Sequence, residues 1–138
     1  MPADNPVKGT NLLLATDGKP HSAKAINYAI GLARLTSSKL FVIYVVSPKT
    51  EAEKQPLIKE GMEVLQGIKT QASGEGVDTT TLLEAGSPYK AILAAADRVK
   101  AESIVVGTSG KSALDRVLIG SVSEYVVRNA PCSVIVVK

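Results

Sequence analysis

Ser103-Ile104-Val105-Val106-Gly107-Thr108-Ser109-Gly110-Lys111-Ser112 begins as an unbroken apolar run and breaks on two glycines. Gly120-Ser121-Val122-Ser123 follows ten residues after the second of them, and Val122, Tyr125 and Val126 then recur at helical spacing up to Asn129 and Pro131. A short apolar run closed by glycine reads as a strand buried on both faces, and the segment after Gly120 reads as a helix. The same alternation holds outward in both directions. Asn11–Ala15, Lys39–Val46, Thr79–Glu84 and Ser133–Val137 are the other apolar runs, which makes five strands in all.

Between them, Ala25, Ala29 and Ala33 form a small-residue face that lets a first helix sit close on a sheet. Met62, Leu65, Ile68 and Ala72 mark the inner face of a second helix, closed by Gly74 and Gly76. Lys49–Lys59 reads as a solvated connection into it. Ser87-Pro88 reads as a helix start, serine at the cap and proline at the first helical position, with Ile92, Ala95, Ala96 and Val99 turned inward. Strict β/α alternation predicts an α/β fold, a parallel sheet with right-handed crossovers and helices on both faces. Ligands of such sheets bind beyond the carboxyl ends of the strands, where the strand order reverses. The residues that follow each strand therefore carry the functional information.

Composition narrows the function. The chain has 138 residues, 45% of them hydrophobic and 21% charged, and a net charge of only +3. That describes an ordinary globular protein and gives no electrostatic case for nucleic acid or an anionic membrane. Aromatic residues make up 4%, too few for base-stacking platforms, so Tyr89 and Tyr125 are read as packing residues. One cysteine, Cys132, excludes an internal disulfide and is read as a small core residue; one histidine, His21, excludes a multi-histidine zinc site. Residues 1–9 lack an apolar stretch and read as a flexible tail ahead of a domain over 10–138, and the longest apolar run, Leu40–Val46, is far short of the ~20 residues that span a bilayer. The expectation is a cytoplasmic protein with no membrane or nucleic-acid partner.

The glycine loop after the fourth strand invites an anion, since glycines let backbone N–H groups come close and a helix start offers unpaired N–H groups and a favourable dipole. Ser121 and Ser123 can add hydroxyl donors and Lys111 a charge. The plain structural alternative is that Gly107 only ends a strand and Gly120-Ser121 only caps a helix. A P-loop is excluded because Val105 stands where its first glycine belongs. Asp17-Gly18-Lys19-Pro20 is not a dinucleotide fingerprint, and Asp-Gly is also a common turn pair. A His21–Ser109–Asp17 hydrolase triad is discounted because no nucleophile-elbow spacing surrounds Ser109. A receiver domain is discounted because Asp17 stands without an acidic cluster.

The pattern Gly107-x2-Gly110-x9-Gly120-Ser121 resembles the ATP-binding signature of the universal stress protein family. So do Asp17-Gly18 after the first strand, Val45-Val46 ending the second, Gly86-x-Pro88 before the third helix, and Asn129-Ala130-Pro131-Cys132 before the last strand. The likeness runs from Asn11 to Val137. It implies a Rossmann-like sheet of the adenine nucleotide alpha hydrolase-like kind, in the order 3-2-1-4-5, and ATP as ligand. By the same likeness Ala15 and Asp17 lie beside the nucleotide, Val45 holds adenine through its backbone, and the Asp17 carboxylate serves ribose or a metal, Mg2+ or Mn2+. Val106, Gly107, Thr108, Ser109, Gly110, Lys111, Ser112 and Ala113, with Gly120, Ser121, Val122 and Ser123, would wrap ribose and phosphates. Ala15 and Lys19 depart from the family's usual proline and serine. The likeness further implies a homodimer through Ser133–Val137, an edge strand in that order. The expected role is a nucleotide-dependent stress-response module with at most slow hydrolysis. The rival is an ATP-using pyrophosphatase or nucleotidyl transferase on a related scaffold, whose serine-glycine-rich loop or His-x-Gly-His motif this chain lacks.

Overall fold

A computed structural model describes residues 9–108 and 121–138. Five parallel strands, β1 (Asn11–Ala15), β2 (Lys39–Val46), β3 (Thr79–Ala85), β4 (Ser103–Gly107) and β5 (Ser133–Val137), form one sheet in the order β3-β2-β1-β4-β5. The helices are α1 (Ala23–Thr36), α2 (Glu51–Gly74), α3 (Pro88–Arg98) and α4 (Ser121–Asn129). Strand positions agree with the apolar runs, apart from one further residue, Ala85, on β3.

Side chains that alternate along each strand sort the core into two layers. Leu12, Leu14, Leu40, Val42, Tyr44, Val46 and Val105 face one side, where α1 brings Ala25, Ala29, Ile30 and Ala33 and α2 brings Leu65, Ile68 and Ala72. Leu13, Ile43, Ile104 and Val106 face the other, where α3 brings Ile92, Ala95 and Ala96 and α4 brings Val126. The central strands are thus covered twice, which is why they read as continuous apolar runs and not as alternating ones.

Three expectations are corrected. The second helix begins at Glu51, so most of Lys49–Lys59 is helical. Thr50 caps it, its hydroxyl accepting from Glu53 N–H at 3.3 Å while the Glu53 carboxylate accepts from Lys49 N–H at 2.8 Å. Met62 is not on the inner face but 59% exposed. Gly61 takes that place, because a Cβ there would come within 2.8 Å of Leu83 and of the Tyr44 ring. Ser87 stands at the cap of α3 as expected, but its side chain makes no capping hydrogen bond. On α4, Val126 is fully buried, whereas Tyr125 is 38% exposed and packs against Tyr89 with ring centroids 5.1 Å apart.

Candidate functional site

The chain leaves the sheet after β1 through a turn built from its own polar groups. Thr16 N–H donates to Ile43 C=O at 3.2 Å, the last rung between β1 and β2. Thr16 Oγ1 then accepts from Gly18 N–H at 3.0 Å and donates to Ser22 Oγ at 3.2 Å. Ser22 Oγ donates to Lys19 C=O at 2.6 Å, and Lys19 N–H donates to Asp17 Oδ1 at 3.0 Å. Gly18 has φ +72°, and a Cβ there would lie 2.7 Å from Val64 Cγ2, so the turn requires glycine for conformation and for space. Pro20 then opens a single 3-10 turn, Pro20–Ser22, that leads into α1. It places His21 Nε2 at 3.2 Å from Asp17 Oδ2.

β1 and β4 are neighbours, and their chains depart to opposite faces of the sheet, into α1 and α4. A cleft opens at that switch point. Asp17, Ala15 and Val45 line it from β1 and β2; Val106, Gly107 and Thr108 line it from β4; Ser121, Val122 and Ser123 line it from α4. All nine predicted site residues that fall among the described ones are therefore brought together. Ser109, Gly110, Lys111, Ser112, Ala113 and Gly120 lie outside the described residues.

Thr16, His21, Ser22, Ile43, Pro88 and Ile92 also line the cleft and were not anticipated there. Ile43 sits two residues before Val45 on one strand face, and Ile92 four residues after Pro88 on one helix face. Those periodicities were available in the sequence.

The cleft has an apolar floor and polar rims. Ile43, Val45, Ile92 and Val106 supply the floor. Along a parallel strand, alternate residues turn both N–H and C=O to the same side. Ile43 bonds toward β1 and Val46 toward β3, where Gly86 N–H donates to its C=O at 2.9 Å. Val45 therefore turns its N–H and C=O toward β1, beyond the point where β1 has left the sheet. On the far rim, α4 begins at Ser121, whose Oγ accepts from the Tyr89 phenol at 3.4 Å. Ser123 differs from expectation. Its hydroxyl donates to Gly107 C=O at 2.5 Å, so that proton ties α4 to β4 and is not available to an anion.

Among the described residues Asp17 is the one carboxylate lining the cleft, and no group of three or more His, Cys, Asp or Glu there could hold a metal. Cys132 lies away from the cleft, packed against the layer of α3 and α4, and burial pushes its thiol up from the usual value, the setting of an inert thiol. No helix among the described residues is long and apolar enough to cross a membrane.

The family model of the universal stress proteins matches residues 10–138. The chain belongs to the universal stress protein family. It is 38% identical over 137 residues to a universal stress protein of Methanocaldococcus jannaschii, covering 92% of this chain and 81% of that one. Among solved structures it is similar to the family member from Archaeoglobus fulgidus in complex with dAMP, with a TM-score of 0.77 and 26% identity over 94% of this chain and 98% of that one. It is also similar to a universal stress protein in complex with cAMP, with a TM-score of 0.75 and 27% identity over 94% and 97% of the two chains.

Proposed function

We propose that this universal stress protein binds ATP across the carboxyl ends of β2, β1 and β4 and works as a nucleotide-dependent stress-response or signalling module. One observation carries the reading: the cleft joins three adjacent strand ends, each offering a different chemistry. Neighbouring strands lie ~4.8 Å apart, so Val45 and Gly107 are separated by roughly 10 Å with the β1 turn between them. A nucleotide laid across them puts its base at β2, its sugar at β1 and its phosphates at β4 and α4. The Val45 C=O and N–H match the amino donor and ring-nitrogen acceptor on one edge of adenine. The start of α4 offers phosphate its N–H groups and dipole.

Relatives in complex with dAMP and cAMP favour an adenine nucleotide. The triphosphate rests on Gly107-x2-Gly110-x9-Gly120-Ser121 and on Lys111. Mg2+ or Mn2+ would arrive on the polyphosphate, since such ions are commonly held by one or two carboxylates plus substrate phosphates, and Asp17 is the carboxylate at hand. Phosphoryl transfer needs a group that orients the attacking water, and the described cleft side chains best suited to that, Asp17 and His21, both belong to the β1 turn, at the sugar end of the proposed nucleotide. Turnover should stay below the ~1–10³ s⁻¹ usual for enzymes.

Beyond the cleft, β5 pairs only with β4 among the described residues and stands at the edge of the sheet, which favours a homodimer through Ser133–Val137. Light scattering at micromolar concentration would read that assembly, and a monomer would rule it out.

Titration calorimetry with ATP tests the nucleotide reading. Gly120→Val should stay folded and lose at least about tenfold in affinity, ~1.4 kcal/mol. Undiminished ATP affinity in the folded variant would sink the phosphate assignment.

A further inference from the structure

The β1 turn gathers polar side chains and backbone groups close to where the proposed nucleotide's sugar lies, and most of them are already committed. Thr16 gives its hydroxyl proton to Ser22, and Ser22 gives its own to Lys19 C=O. Gly18 N–H and Lys19 N–H are taken by Thr16 Oγ1 and Asp17 Oδ1. Two cleft-lining side chains of this turn keep spare capacity, Asp17 and His21. Asp17 has used one acceptor site on Oδ1 and faces His21 Nε2 at 3.2 Å with Oδ2, out of roughly four lone-pair sites on a carboxylate. A carboxylate can only accept, so its place 3.2 Å from Nε2 favours the tautomer with the proton on Nε2, which leaves Nδ1 as an acceptor in the neutral ring.

This turn therefore brings to the lining of the cleft, at the middle of three strand ends, two side chains that can accept, one carboxylate and one imidazole. A ribose diol is the part of a nucleotide that brings two neighbouring hydroxyl donors. We propose that His21, held by Asp17, is a specificity-determining residue that accepts from one ribose hydroxyl, so that the cleft prefers ribonucleotides to their deoxy counterparts. The proposal rests on the nucleotide reading above and adds to it the sugar's identity. His21 carries out no bond-breaking step in it.

The test is calorimetry with ATP, 2′-deoxy-ATP and 3′-deoxy-ATP in EDTA, so that no divalent ion on Asp17 enters the comparison. Wild type should bind ATP about three- to tenfold more tightly than one of the deoxy analogues, the worth of one hydrogen bond. His21→Ala should erase that preference while binding the same analogue within about twofold of wild type. His21→Asn, which keeps an acceptor close to the Nδ1 position, should retain part of the preference. A His21→Ala variant that weakens on all three nucleotides alike would make His21 a prop for the turn and overturn the proposal. So would a preference that survives intact in His21→Ala. Failure of the wild type to bind any of the three would instead overturn the nucleotide reading itself.

Discussion

After β1 the chain spends its polar groups on itself: Thr16, Asp17, Lys19 and Ser22 close a network within seven residues, and Gly18 is wedged under Val64 and the Tyr44 ring. At the end of β4 the demands are lighter. Gly107 has room for a Cβ, which would meet Ala25 Cβ at an ordinary 3.5 Å, and its carbonyl is held by one hydroxyl, that of Ser123. Both ends flank the same cleft. The glycines at these two strand ends thus differ in kind: Gly18 is required by the fold, while nothing in the described fold requires Gly107.

The contrast breaks most visibly at Gly18. Gly18→Ala combines a left-handed backbone that costs an alanine about 1 kcal/mol or more with a Cβ 2.7 Å from Val64. We expect a loss of about 2–4 kcal/mol in urea unfolding, the sum of backbone strain and overpacking. A loss under about 0.5 kcal/mol, the size of an ordinary surface change, would show that the turn is not pinned.

Ser123→Ala probes the other end. Ser123 is 6% exposed, and its hydroxyl is the described tie between α4 and Gly107 C=O. Removing a buried hydrogen bond of this kind costs about 1–2 kcal/mol. Stability should fall by that amount, read again in urea, and ATP affinity should fall by less than in Gly120→Val. An affinity loss as large as that of Gly120→Val, with stability unchanged, would return Ser123 to the phosphate.

Much of this contrast was legible in the sequence, and the rest was not for physical reasons. The five strands stood out because burial on both faces forces unbroken apolar runs. The first half of α2 did not, because its face there is solvated and carries few apolar markers. Its one signal was Thr50-x-x-Glu53, a capping box. Met62 was misplaced because periodicity cannot show that the Tyr44 ring leaves room for nothing larger than Gly61. At the site, Asp17 just after β1 and Gly107 closing β4 stand where such a sheet places its ligand contacts, whereas Val45 was marked only by the family resemblance. The Ser123 bond to Gly107 depends on how α4 lies against β4, a tertiary fact with no local pattern. His21 was weighed only as a triad member, yet its four-residue spacing from Asp17 was on view.

Tyr44 sharpens the comparison through pH. Burial raises its phenol above the ordinary 10.0, and the charges of Glu60 and Asp17 push the same way. The folded state thus favours the neutral phenol, so Tyr44's contribution is complete below the unfolded value and is lost as pH rises through the folded one. Stability should decline above about pH 10, and Tyr44→Phe should flatten that decline. Urea midpoints across that range would measure it. An equal decline in Tyr44→Phe would assign the effect to other groups.

Gly107→Ala should have the smallest effect, and its smallness is the point. Gly107 does not sit at positive φ, and the added methyl would point at Ala25 on α1, with Val137 C=O at 3.9 Å. That is the sheet face of α1 and α2, whereas Ile43, Val45, Ile92 and Val106 of the cleft floor belong to the opposite face. The backbone N–H survives the change, so an anion that uses it keeps its donor. Replacing glycine by alanine where the backbone permits it typically stabilises by about 0.4–1 kcal/mol through the unfolded chain. Stability should therefore hold or rise slightly, and ATP affinity should stay within about twofold, under ~0.5 kcal/mol. A tenfold loss of ATP affinity in a stable Gly107→Ala protein would mean that the ligand approaches β4 from the α1 side. The phosphate path would then have to be redrawn around Gly107 itself.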